Sequence, residues 1–152
     1  MKKEIESSKK RLKRLDLNYS EAEKLLGYAP GSIKSIFYSN SSKAINKLYL
    51  SLKRYERVIN NLKRVDRIWG KKRVESLKPQ NMKEKELIEN ILNISGLTRK
   101  ELAHEIGLSK SALYAKKLGK STIKALEHYY LLLLTENLLM EGKNGKGDET
   151  RD

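Results

Sequence analysis

Apolar positions along this chain recur at intervals of three and four, and nowhere does a strand-length run alternate apolar with polar residues. Such spacing lines one face of a helix, whereas alternation would line one face of a sheet. The longest pattern falls between Lys43 and Trp69, where Leu48, Leu52, Tyr55, Ile59, Leu62, Val65 and Trp69 form one stripe and the opposite face is almost wholly basic. It predicts a single amphipathic helix of about 40 Å at 1.5 Å per residue, acting as a spacer, as a dimer seam, or packed on the second half of the chain. Gly70 is its expected stop. Ahead of it, Ile5 and Leu12 fit a short helix or a basic arm, read as helix. Beyond it, Leu87, Ile88, Ile91 and Leu92 mark another helix. After Ser121, an expected N-cap, Ile123, Leu126, Tyr130, Leu133 and Leu138 line one side of a last helix that is apolar nearly all round. A helix of that kind belongs in the centre of a core or at a subunit interface. The fold class predicted is all-α.

One stretch, "LTRKELAHEIGLSKSALYAKKLG" at residues 97–119, has finer punctuation. Thr98 and Glu101 match a capping box, and Leu102, Ala103 and Ile106 give the following helix one apolar stripe. Gly107 can take the positive φ that ends a helix tightly, Leu108 plugs the turn, and the Ser109 hydroxyl can cap a second helix. That second helix turns Leu113 inward and Ser109, Lys110, Ser111 and Tyr114 outward. The apolar-Ala pair Leu102-Ala103, then Gly107, Leu108, Leu113 and Gly119, resemble the helix-turn-helix of the Cro and phage-repressor (Xre-like) family over roughly residues 88–134. The chain departs from the family at Lys116, where a second apolar anchor is usual. The resemblance implies DNA binding, with the second helix in the major groove.

Residues 17–45 repeat this design. Asn18 and Glu21 are cap partners, Ala22, Leu25 and Leu26 the buried stripe, Gly27 the turn, Tyr28 the plug, Pro30 a first helical residue, and Ile33 with Ile36 the inward anchors. Aligning Gly27 with Gly107 gives an offset of 80 that also matches Glu21 to Glu101, Leu26 to Ile106 and Ile33 to Leu113. The misfit is Glu23, opposite Ala103, which calls for a wider crossing of the two helices or a register shifted by one. Two tandem helix-turn-helix units joined by a long amphipathic helix are therefore expected. The corresponding division is residues 1–73 for the first unit with its long helix, 74–81 for a linker containing Pro79, 82–140 for the second unit, and 141–152 for a disordered tail.

Composition sharpens the choice of partner. The 152 residues carry 33 basic and 19 acidic side chains, a formal net charge of +14, which points to a polyanion. The charge is uneven: residues 109–124 hold five basic side chains and no acid, and residues 43–73 hold eleven against Glu56 and Asp66. With no cysteine and only His104 and His128, neither a disulfide framework, a thiol nucleophile nor a metal site is expected. His104 is read as a solvated surface residue and His128 as bonding a carbonyl near the leucine-rich helix. No phosphate loop or paired catalytic carboxylates stand out, so the chain is read as a binder and not an enzyme, with no cofactor. A charged start with no apolar run behind it, and no apolar run long enough to span a bilayer, predict a cytoplasmic protein without a membrane partner.

The expected function is sequence-specific binding of double-stranded DNA, as in a phage- or plasmid-type transcriptional regulator. The alternatives are an accessory subunit of a recombination, replication or packaging machine, and a basic RNA-binding or interaction protein. Ser109, Lys110, Ser111 and Tyr114, with Ser32, Lys34, Ser35 and Tyr38 in the first unit, are the candidates for base contacts. Thr98, Arg99, Lys100, Lys117, Lys120 and Ser20 are the candidates for phosphate contacts. A homodimer through the long or the C-terminal helix is a further expectation.

Overall fold

The computed structural model describes residues 2–78, 82–114 and 117–149. The described residues form α1 (Lys2–Arg14), α2 (Tyr19–Leu26), α3 (Ser32–Tyr38), α4 (Ser42–Trp69), α5 (Lys71–Ser76), α6 (Glu84–Ser95), α7 (Arg99–Glu105), a 3-10 turn (Lys110–Tyr114) and α8 (Lys120–Glu149), and contain no strand. None of these helices is long and apolar enough to cross a membrane.

Both anticipated capping boxes form. Asn18 Oδ1 accepts from the Glu21 N–H at 2.7 Å while Glu21 Oε1 accepts from the Asn18 N–H at 3.1 Å, and Thr98 and Glu101 repeat the exchange at 3.2 and 3.0 Å. Each helix then ends in the same backbone device. Gly27 and Gly107 both have φ +76°, and the N–H after each glycine bonds back five residues, Tyr28 to the Glu23 carbonyl and Leu108 to the Ala103 carbonyl, both at 2.8 Å. This is a Schellman-type closure, which only a residue tolerant of positive φ completes without strain. Because the bonds coincide at an offset of 80, no shift of one residue exists between the two halves.

The long helices α4 and α8 lie side by side and run in the same direction. Lys47 Nζ reaches Ser121 Oγ at 3.1 Å, Arg57 pairs with Glu136 at 2.9 Å, Asn61 bonds Thr135 at 3.1 Å, and the Trp69 indole donates to the Leu138 carbonyl at 3.2 Å. The stripe expected to be a spacer or dimer seam is thus occupied within the chain. Packed also by α6, α8 has two faces to bury, which explains leucines nearly all round. Two larger cores result. One gathers Leu12, Ala22, Leu26, Ile33, Leu48 and Leu52; the other gathers Leu87, Ile91, Leu102, Ile106, Leu113 and Leu126. Apolar surface removed from water in these clusters contributes about 25 cal/mol per Å² to folding.

Several expectations are corrected. Pro30 precedes α3 in a turn instead of opening it, and Gly31, with φ +84°, is the N-cap. The second helix of the second pair is a single 3-10 turn. Leu113 within it and Leu118 after it are both buried; the departure at Lys116 lies outside the described residues. Ser121 sits inside the first turn of α8, where the Gly119 carbonyl accepts from the Ile123 N–H at 3.0 Å. The linker expected at 74–81 overlaps α5, whose Val74 packs with Leu77 on Val65, Leu138 and Leu139; Pro79 lies outside the described residues. The tail expected to be disordered from 141 continues α8 to Glu149. Among the described residues His128 bonds no carbonyl: it is buried against the Tyr55 ring, with centroids 5.2 Å apart.

Candidate nucleic-acid interface

The second helix of the first pair is held from below by a residue that sequence spacing marked as a misfit. Gly31 has no side chain with which to cap α3. Glu23, only 5% exposed, supplies the missing acceptor from α2, its Oε2 taking the Ile33 N–H at 3.0 Å. A carboxylate at a helix N-terminus is favoured both as an acceptor and by the dipole. Ile33 is fully buried beside it. With that anchor inward, the 3.6-residue period turns Lys34, Ser35 and Tyr38 to solvent, and Tyr38 is 81% exposed. Ser32 is half-buried and its hydroxyl donates to the Ala29 carbonyl at 2.6 Å, so it offers a partner only its lone pairs. Ser20 is exposed on the first turn of α2.

In the second pair, Leu113 is the buried anchor and Ser109, Ser111 and Tyr114 are exposed. The Ser109 and Ser111 hydroxyls lie 3.2 Å apart. The Lys110 side chain lies outside what the structure describes. The Arg99 guanidinium stacks on the Tyr114 ring, 5.5 Å from its centroid. Thr98 is committed to its capping box, and its two hydrogen bonds hold the Glu101 carboxyl below the usual range. Lys100, Lys117 and Lys120 are exposed, and like Lys34 they form no ion pair among the described residues. Exposed His104 borders a cleft between this pair and Lys43, Asn46 and Leu50 of α4.

The two pairs are seated reciprocally. Gly27 of the first turn lies against the start of α8: a Cβ there would fall 2.5 Å from the Lys120 carbonyl oxygen. Gly107 of the second turn lies against α4, its Cβ position 3.2 Å from Leu50 Cδ1 and 3.7 Å from Lys47 Cα. Each turn therefore docks on the long helix of the other half. Since α4 and α8 run in the same direction, and α3 and the 3-10 turn lead into their respective N-termini, both exposed polar sets occupy the same end of the molecule. The first turns of α4 and α8 contain no acid, so two helix N-termini add their partial positive charge to the lysines there, whereas that of α3 is already met by the Glu23 carboxylate.

The joint between the halves holds polar groups that periodicity did not single out. Arg54 is 6% exposed on α4, with Nη2 donating to the Glu105 carbonyl at 3.3 Å. Burial lowers its guanidinium to about 10, against the pull of Tyr129, Glu105 and Tyr28. Lys47, lowered by burial, bridges the Tyr28 ring and Ser121. The available signal was their position: in α4, Arg54 shares the inward face with Ser51 and Val58. The exposed side chains at the N-terminal ends of α3, α4 and α8, not this joint, offer polar groups and cations to an anionic, hydrogen-bonding partner. No family model, curated protein or solved structure matches the chain.

Proposed function

We propose that the protein binds double-stranded DNA as a single-chain, two-part reader and acts as a transcriptional regulator of the phage or plasmid kind, without catalysis. The observation that carries the reading is the reciprocal seating of Gly27 on α8 and Gly107 on α4, which holds two short, polar, acid-free segments at one end of a basic molecule. Ser32, Lys34, Ser35 and Tyr38 contact bases from the first segment; Ser109, Lys110, Ser111 and Tyr114 do so from the second. Arg99, Lys100, Lys117 and Lys120 contact phosphates, with Thr98 and Ser20 at helix N-termini. The two segments differ in residues, so the preferred site is asymmetric. One chain per site suffices, because the apolar faces that a homodimer would use are packed together inside it.

The test is fluorescence anisotropy with a 30-base-pair duplex, its single strands and an RNA hairpin across a salt series. If about six phosphates are neutralised, duplex affinity falls on the order of 10³-fold between about 50 and 200 mM salt. A flat salt response, or preference for the RNA, overturns the reading.

A further inference from the structure

The far end of α4 carries a second cationic surface, remote from the proposed reading segments. Lys63, Arg64 and Arg67 are exposed and fall within about a 100° arc at 3.6 residues per turn. Past the turn at Gly70, Lys71, Lys72 and Arg73 continue the charge, all exposed. Elsewhere on the same helix arginines have partners, as Arg57 has Glu136, and Glu56 lies against Arg11 and Arg14. None of these six forms an ion pair among the described residues. Of the six, only Arg73 is engaged among the described residues, over the Trp69 ring at 5.4 Å. Of the acids at this end whose side chains are described, Asp66 is half-buried, Glu75 pairs with Lys78 at 3.4 Å, and Glu141 is exposed on α8. Like charges so closely spaced repel one another; the charges of a polyanion offset that repulsion, and release of its counterions adds to binding.

From Ser42 to Lys63 the helix rises about 32 Å at 1.5 Å per residue. A straight duplex lying across the N-terminal end, about 20 Å thick, stays below this surface. The arc of Lys63, Arg64 and Arg67 contains no apolar side chain to insert into a bilayer, and Trp69, the large aromatic at this end, is tied to the Leu138 carbonyl. We infer that this surface holds the phosphate backbone of a second duplex, so that one chain bridges two DNA segments. The inference rests on the duplex-binding reading above.

The experiment loads full-length protein onto a bead-bound 30-base-pair duplex at about 50 mM salt, washes, and measures capture of a second, labelled 30-base-pair duplex of unrelated sequence. The native chain should capture it. The triple substitution Lys63→Glu/Arg64→Glu/Arg67→Glu should keep binding to the bead duplex within about threefold and lower capture at least tenfold. The pair Lys71→Glu/Lys72→Glu should lower capture by less, and circular dichroism should show both variants folded, since every altered side chain is exposed. Retention on the beads without capture of the second duplex overturns bridging alone, whereas failure to be retained overturns the duplex reading itself. Undiminished capture by the triple variant also overturns the second surface, because bridging would then come from self-association. So does binding of the native chain, but not the triple variant, to vesicles with about 30% anionic lipid in the absence of capture.

Discussion

Replacing Gly27 by Ala tests the seating of the first pair against the second half. Two costs add. The residue has φ +76°, and holding an L side chain in the left-handed region costs about 1 kcal/mol. The new Cβ would also stand 2.5 Å from the Lys120 carbonyl oxygen and 2.7 Å from its carbon. Those are backbone atoms in the first turn of α8, so the helix start must move, and overpacking of this sort costs about 1 to 3 kcal/mol. The sum is about 2 to 4 kcal/mol, which for a chain of this size lowers Tm by about 5 to 15 °C. Gly96→Ala is the control: it has φ +72° but nothing within 4 Å of the Cβ position, so only the conformational cost applies, about 2 to 4 °C. Gly107→Ala should fall between the two, because it meets Leu50 Cδ1 at 3.2 Å, a terminal methyl that can rotate away. Thermal unfolding followed by far-ultraviolet circular dichroism gives all three values. Equal shifts for Gly27→Ala and Gly96→Ala would refute the close approach of the first turn to α8.

Removing the α2 carboxylate by Glu23→Ala leaves the Ile33 N–H without its acceptor and should cost about 1 to 3 kcal/mol in urea unfolding, whereas Glu23→Gln, which keeps an oxygen there, should cost less; equal losses would deny the cap. His128 is lowered from 6.5 to about 4 by burial first and then by Arg54 and Lys124. The unfolded chain therefore binds a proton that the folded chain refuses between those values, and stability should fall as pH drops through that window, by on the order of 3 kcal/mol at most; His128→Asn should flatten the profile, and an unchanged slope would contradict the burial. Glu56, held below the usual carboxylate range chiefly by its hydrogen bond to Arg14, should add stability above its unfolded pKa that disappears as pH falls through the lower folded value; Glu56→Gln should remove that acid limb. In binding assays, Lys34→Ala should cost about 1 to 3 kcal/mol on a selected site and little on random duplex, while Arg99→Ala or Lys120→Ala should weaken both alike; the reverse pattern would exchange their roles.

Local signals in this chain were legible because they act within a few residues. Asn18 with Glu21, Thr98 with Glu101, and the glycines at 27 and 107 each combine a side chain or a permitted φ with the turn beside it, so spacing alone located α2 and α7. The helical period similarly identified the stripe of α4 and the outward set Lys34, Ser35 and Tyr38. What spacing could not carry was contact across the fold. Glu23 was a misfit by comparison with Ala103, yet it serves a helix ten residues away that begins on a glycine unable to cap itself. The reciprocal docking depends on Gly27 meeting Lys120, a pairing visible only once α4 and α8 lie together. The 3-10 geometry of residues 110–114 has no marker in the apolar spacing, and Arg54 was hidden because a charged residue on an apolar stripe reads as a break in it.

Hydroxyl-radical footprinting of a selected duplex, native chain against Gly31→Glu/Lys34→Glu, tests the two-part reader most directly. With one chain bound per duplex, the native protein should protect two unlike patches on one side of the helix, about 10 base pairs apart centre to centre. The double substitution, which sets two carboxylates at the first segment where the Gly31 Cβ position is open and the φ of +84° adds about 1 kcal/mol of strain, should erase one patch and spare the other. A single native patch, or a pair left intact by the substitution, would contradict the account and leave residues 97–119 as the sole reader.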